Sequence, residues 1–399
     1  MIIHKKDTIF ESKEGQRLFR TYYDSLVSSD RDTKEINKNE HKKISSTSAL
    51  SSRKYNTLPN EIPLKKQDKI TNVTIDDLLN YYKHKGVIGE EKNLYLQTLS
   101  ALNGISFGIE GLSGSGKTFL TDKLMELIPE DYVYIVGLSS NLAILNDSET
   151  INQKKFIYIP EIQKAMGKKD SPIVEIIKDL TEGKDAMRLV TKKNGDVLEN
   201  RIKSGITVIY TLASESYFKK DIETSRRFLR LYTDHSKEHI DKVLEHKANS
   251  RISNYENEVS FCEHNLKQHI KNCIDLDNMN YIDPFAPAVR DYIPSTPKTV
   301  SYVDHFYKLL NASAKFNHER RIIEDGNIFL NLEDYVSVFG AYYDNFCNIV
   351  YDIDENSQNQ IVSEIDWDFC LDSASEIISD KYPSIYGDWK KIQGEHYGP

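Results

Sequence analysis

Gly111-Leu-Ser-Gly-Ser-Gly116-Lys117-Thr118 is the stretch on which the fold turns. Its pattern is G-x-x-x-x-G-K-T. The apolar run Ile105–Ile109 before it reads as a strand, and Lys117 to Leu127 after it reads as a helix. Between the two, glycines let the backbone curl into a nest of N–H groups that fits the phosphates of a nucleotide. Lys117 adds a point charge and Thr118 a hydroxyl for Mg²⁺. The positive end of the helix faces the same anion. The expected cofactor-binding set is Gly111, Leu112, Ser113, Gly114, Ser115, Gly116, Lys117, Thr118 and Phe119, with Thr118 at the metal.

Outward from that loop the pattern stays α/β. Tyr132–Val136, Phe156–Ile159 and Thr207–Thr211 are strand candidates separated by helical stretches. Hydrolysis of a bound triphosphate needs an acid at the tip of a neighbouring strand, to orient and deprotonate water. Phe156-Ile-Tyr-Ile-Pro160-Glu161 ends in such an acid, so Glu161 is the candidate. Pro160 stands where a second acid would hold the metal through water, which makes tight binding with little turnover a rival expectation. The strand Ile206–Thr211 ends in polar residues, so Thr211 and Ser214 are candidate contacts to the terminal phosphate. Glu223-Thr-Ser-Arg226-Arg227-Phe228 follows. An arginine placed there can neutralise charge on the nucleotide of a neighbouring subunit, which implies a ring. Two adjacent arginines equally suit a solvated face. Leu189–Lys193 and Val197–Lys203 flank Asn194-Gly195-Asp196, a strong hairpin signal because Asn-Gly supplies the positive φ angles of a tight turn. The basic tip, Lys192, Lys193 and Asn194, suits phosphates of a nucleic-acid strand. On charge alone, an exposed turn is the simpler account.

Composition bounds the rest. The 399 residues are 39% hydrophobic and 28% charged, enough for two or three packed domains. Net charge is −9, from 52 basic and 61 acidic residues, which argues against coating nucleic acid by bulk charge. The distribution is uneven. Residues 1–70 hold 15 basic against 10 acidic side chains, and residues 351–399 hold 3 against 11. No run of 18 or more apolar residues suggests a membrane span, and the N-terminus lacks the apolar core of a secretion signal, so a cytoplasmic location is expected. The four cysteines form no C-x-x-C pair, so neither a zinc ribbon nor a disulfide framework is indicated. His264 and His269, near Cys262 and Cys273, are five residues apart and do not stack on one helical face.

Organisation follows from periodicity. A helix is expected over Glu11–Val27, then a disordered linker over 29–70, too poor in apolar residues to offset its ordering entropy. Thr74-x-x-Asp77 reads as a helix start and Gly86 as its stop, with a second helix over Glu90–Leu102. Beyond Arg251 the chain reads as mostly helical, with a small hairpin turning at Asp325-Gly326-Asn327 and a helix start at Asn331-x-x-Asp334. The expected units are a basic, largely disordered 1–73, an α/β core over 74–246, a helical lid-like domain over 250–350, and an acidic tail over 351–399. The tail carries both tryptophans, Trp367 and Trp389, and reads either as a docking segment or as a solvated end.

The order of phosphate loop, acid strand, inserted hairpin, polar-ended strand and arginine pair resembles AAA+ ATPases of the branch with a hairpin before sensor 1. That branch includes minichromosome-maintenance helicases and helicases of the third superfamily. The chain is most similar to the ATPase part of primase–helicase proteins of phages and mobile elements, over residues 77–93, 110–127, 223–236 and 282–335. The resemblance implies an α/β P-loop NTPase core that uses ATP and Mg²⁺. It implies Glu161 as catalytic acid, Thr211 or Ser214 as sensor, Arg227 (or Arg226) as an arginine acting in trans, and Lys192–Asn194 on single-stranded DNA. It also implies a homo-oligomeric ring acting in replication of a mobile or viral element. Pro160 departs from the pattern. So does the basic head, which stands where relatives carry a primase and a zinc module, so a separate chain would supply priming. The rival readings are an AAA+ remodeller acting on protein, a nucleotide-binding switch, and a nucleotide kinase, for which no acceptor motif is present.

Overall fold

The computed structural model describes residues 73–137, 143–165, 172–191, 197–213, 222–251, 260–277, 279–351 and 365–397. The helix expected over 11–27, the linker over 29–70, Ser214 and the hairpin tip Lys192–Asn194 lie outside those residues.

Two helices lead in. α1 (Ile75–His84) starts as the sequence requires: the Thr74 hydroxyl accepts the Asp77 N–H at 3.2 Å, and the Asp77 carboxylate takes the Thr74 N–H at 2.8 Å. α2 (Glu91–Leu102) follows, and its residues from Leu94 onward are buried. Next come β1 (Phe107–Glu110), α3 (Lys117–Met125), β2 (Val133–Ile135), β3 (Phe156–Ile159), α4 (Pro172–Thr181), the hairpin β4 (Ala186–Thr191) and β5 (Val197–Ile202), β6 (Thr207–Leu212) and β7 (Leu229–Tyr232). Five of these strands form one parallel sheet in the order β2-β3-β6-β1-β7. The inner strands β1, β3 and β6 are buried along their whole length and are mostly apolar, which is why they read as short runs. Alternate residues divide between two cores. Phe107, Ile109, Tyr158, Ile209 and Leu231 join one, and Ile157, Ile159, Val208, Tyr210 and Leu212 the other. The β4–β5 hairpin pairs only with itself, Ala186 to Ile202 through Thr191 to Val197.

The topology brings the motifs together. β6 lies between β3 and β1, with Ile109 level with Thr211 and Ile159 level with Tyr210. The phosphate loop after β1, the acid after β3 and the end of β6 thus meet at the carboxyl edge of the sheet, where α/β folds bind ligands. β7 was not anticipated. It lies inside the stretch read only for its arginines, and its four residues are too few for periodicity to mark.

After β7 comes α5 (Lys237–Asn249), then α6 (Ser260–Asp275), α7 (Thr299–Phe316) and α8 (Leu332–Tyr351). α7 and α8 pack on α2, and α6 packs on α1 and α2. A three-stranded sheet, Asn280–Ile282, Ile323–Glu324 and Asn327–Phe329, includes the hairpin expected at Asp325-Gly326. Helix α5 lines the space beside the phosphate loop. The acidic C-terminus holds two helices, α9 (Trp367–Lys381) and α10 (Tyr386–Tyr397), whose inner faces join the main core. Trp389 is 1% exposed, so 365–397 is a docked segment and not a solvated end.

Candidate functional site

The loop is built around its lysine. The Lys117 ammonium, on a side chain that is largely buried, donates to the Gly111 carbonyl at 2.9 Å, to the Leu112 carbonyl, and to the Ser115 hydroxyl at 3.3 Å. These oxygens hold the cation at the centre of the turn. Gly116 takes φ +87° at the start of α3, a conformation that favours glycine. Gly111 has no room for a side chain: a Cβ there would lie 2.1 Å from the Thr233 hydroxyl and 3.0 Å from the His235 ring. Thr233 and His235 follow β7 and brace the loop from behind. The Thr233 hydroxyl bonds the Ser115 hydroxyl at 2.8 Å, and the His235 Nε2 accepts the Leu112 N–H at 3.3 Å. The first N–H groups of α3 have no partner within the helix, and they sit beside this cation.

Beneath the loop, the Glu110 side chain is fully buried. Arg230 on β7 grips it twice, at 2.7 and 2.6 Å, and the Tyr210 hydroxyl donates to it at 2.8 Å. Burial and the neighbouring Glu110 charge push the Tyr210 phenol well above its ordinary range, so it stays a donor. Arg230 also reaches the Ser225 hydroxyl at 3.1 Å, tying the loop base to the arginine segment.

Glu161, Thr211, Lys117 and Thr118 line one small cavity of about 290 Å³. Glu161 is half exposed and its carboxylate pairs with Lys164, one turn further on. Its backbone has φ +51°, a conformation that costs a non-glycine residue about 1–3 kcal/mol. Thr211 is buried, and its hydroxyl accepts the Glu161 N–H at 2.9 Å. The hard oxygens here, the Thr118 hydroxyl and the Glu161 carboxylate, are of the kind Mg²⁺ prefers, with Pro160 in place of a further acid.

A larger cleft of about 630 Å³ opens beside the loop, between the α1–α2 connection and α5. Val87 and Ile88 form one wall; Ile240, Val243 and Leu244, at i, i+3 and i+4 of α5, form the other. No residue of α5 is buried, and Ile240 and Leu244 are 50% and 59% exposed. Apolar walls of this size and spacing suit the base and sugar of a nucleotide whose phosphates reach the loop. Glu90 lines the same cleft. It accepts the Asp234 N–H at 2.8 Å and an Asn93 amide N–H, so it ties α2 to the entry of α5. Burial lifts its carboxyl to about 7, against the lowering effect of those two bonds.

The two arginines part company. Arg227 is turned inward: its guanidinium meets Glu182, meets Glu223 at 2.8 Å, and donates to the Lys178 carbonyl at 3.2 Å. Those contacts leave it poorly placed to act in trans. Arg226 is the exposed member. On the hairpin, Arg201 pairs with Glu199 at 3.2 Å and Asp185 at 3.7 Å. Among the described residues no cluster of three or more His, Cys, Asp and Glu could hold a metal ion, and Cys273 and His269 are buried. Glu90, Thr233, His235, Gln163 and the apolar face of α5 were not singled out in the sequence. The one signal for them was Ser236, which caps α5 by accepting the His239 N–H and marks a helix start just after the arginine segment.

The family model described as MTBMA_p00010 P-loop domain matches residues 55–273, more than half of the chain. A solved structure of a candidate ATPase from Cytophaga hutchinsonii is 12% identical, with a TM-score of 0.38; the match covers 66% of this chain and 85% of that one, and a similarity so low carries no inference about activity. No curated protein matches the chain.

Proposed function

The chain belongs to the MTBMA_p00010 P-loop domain family, and from that premise we propose that it binds and hydrolyses ATP and couples the reaction to single-stranded DNA in a homo-oligomeric ring. The observation that supports the ATPase reading is the shared cavity: Glu161 lines the same space of about 290 Å³ as Lys117 and Thr118. The Glu161 carboxylate takes a proton from water as the water oxygen bonds to the γ-phosphorus. The bond from that phosphorus to the β,γ-bridging oxygen breaks, and ADP and phosphate leave. Lys117 and the N–H groups at the start of α3 balance the charge gathering on the phosphate oxygens. The Thr118 hydroxyl would hold Mg²⁺, which when bound neutralises further phosphate charge. The base and sugar occupy the cleft walled by Val87, Ile88, Ile240 and Leu244.

The DNA and ring readings have separate support. The hairpin β4–β5 is inserted between the acid strand and the central strand, and its tip carries Lys192, Lys193 and Asn194. The exposed Arg226 takes the role in trans for which Arg227 is poorly placed. From its place in the sequence just after β6, Ser214 is the candidate for the terminal phosphate. A rival reading, a nucleotide switch with little turnover, is favoured by Pro160 and by the pairing of Glu161 with Lys164.

One experiment separates these readings: ATP turnover by the full chain with and without single-stranded DNA, beside Lys117→Ala and Glu161→Gln, with the particle mass measured in ATP. Lys117→Ala is expected to lose nucleotide binding. Glu161→Gln is expected to bind ATP and lose about 10²–10⁴-fold in turnover. DNA is expected to stimulate the wild type. Wild-type turnover no faster than that of Glu161→Gln, with tight binding retained, selects the switch; turnover indifferent to DNA removes the DNA reading.

A further inference from the structure

We infer that Thr211 is a positioning residue that works through the backbone of Glu161 rather than by touching the nucleotide. The inference rests on the reading of Glu161 as the acid that takes the proton from water.

Among the described residues only two non-glycines have a positive φ, Glu161 at +51° and Asp325 at +49°. Asp325 sits in an Asp-Gly hairpin turn, where that conformation is the turn's own requirement. Glu161 sits in the turn between a buried strand of the parallel sheet and the short helix Ile162–Ala165, with no glycine beside it to supply that conformation. A strained backbone persists only where its surroundings over-determine it, and such strain gathers at functional sites.

The surroundings are identifiable. The Glu161 N–H points at the Thr211 hydroxyl, 2.9 Å away. Two residues on, the Gln163 amide oxygen accepts the Ala213 N–H at 3.4 Å. The two bonds join the same two segments, the turn after β3 and the end of β6. They continue past the last ladder pair, Ile159 with Tyr210, so side chains take over where strand pairing stops. Thr211 is 1% exposed and branched at Cβ, so its oxygen is held in place. Without that acceptor the Glu161 N–H loses its partner and the left-handed turn loses its brace. The carboxylate then swings out of line with the cavity that it shares with Lys117 and Thr118.

The test compares Thr211→Ser with Thr211→Ala in the full chain, each alone and combined with Glu161→Gln. Both variants lose the methyl group; only alanine loses the oxygen. Thr211→Ser is expected to keep kcat within about threefold of wild type. Thr211→Ala is expected to lose up to about 10²-fold in kcat, the scale of a small misplacement of a reacting group, with the KM for ATP unchanged. On the Glu161→Gln background, Thr211→Ala is expected to cause no further loss, because the group it positions is already gone. Equal losses in serine and alanine, a rise in KM with kcat intact, or a full further loss on the Glu161→Gln background would each overturn the inference. Failure of the underlying reading has its own signature: Glu161→Gln alone would turn over ATP like the wild type.

Discussion

Glu90 shows how a single buried carboxyl can set the pH behaviour of the cleft. Its folded value, about 7, lies above that of the same group in an unfolded chain. A raised acid favours the folded state most at low pH, and that contribution is lost as pH rises from about 4.5 toward 7. Relative to Glu90→Gln, the wild type is expected to lose on the order of 2–3 kcal/mol of stability over that range. Urea unfolding of both proteins at pH 5 and pH 8 measures it; parallel changes in the two would show that another group is responsible. At this scale the phosphate loop was legible because its chemistry is written in consecutive residues. Arg227 was not, because its partner Glu182 lies 45 positions away, and Glu161's strain was not, because it depends on Thr211 across the sheet.

Helix α5 is amphipathic, and its apolar residues Ile240, Val243 and Leu244 line the cleft. A helix that buries no residue is held by its ends and gains most from whatever fills the space beside it. Replacing Leu244 with Asp is therefore expected to weaken ATP about 10- to 100-fold, the equivalent of about 1.5–3 kcal/mol of apolar contact. Inorganic triphosphate, which has no base to place between the walls, is expected to bind as before. Calorimetric titration with both ligands decides it, and an equal loss for both would mean that α5 acts on the phosphates. Elements with local signals were readable: the Thr74 cap, the strand Phe156–Ile159 and the antiparallel pairing of β4 with β5 all formed as expected. The lining of the cleft by α5 was not readable, since no local signal says which surface that helix faces.

For the whole molecule the main core is continuous from the lead-in helices to the last one. Leu79, Phe107 and Leu120 belong to the same buried cluster as Phe306, Phe339 and Trp389. Trp389→Ala is accordingly expected to cost about 3–5 kcal/mol, as other buried tryptophans do. The remaining tryptophan, Trp367, reports on the same transition, since it packs on Phe339 with ring centres 5.5 Å apart. Its fluorescence and nucleotide binding are expected to be lost together in denaturant; two separated transitions would show that α9 and α10 form an independent unit. The sequence by itself determined the phosphate loop, the acid strand and the α/β class, because each is specified by neighbours within a few residues. The tertiary structure alone decided that Glu161 and Thr211 are laced together, that Arg227 is turned inward, that α5 lines the cleft and that the acidic C-terminus is docked. These depend on contacts between distant segments, and a buried acidic stretch and an exposed one read alike until the surface they pack against is known.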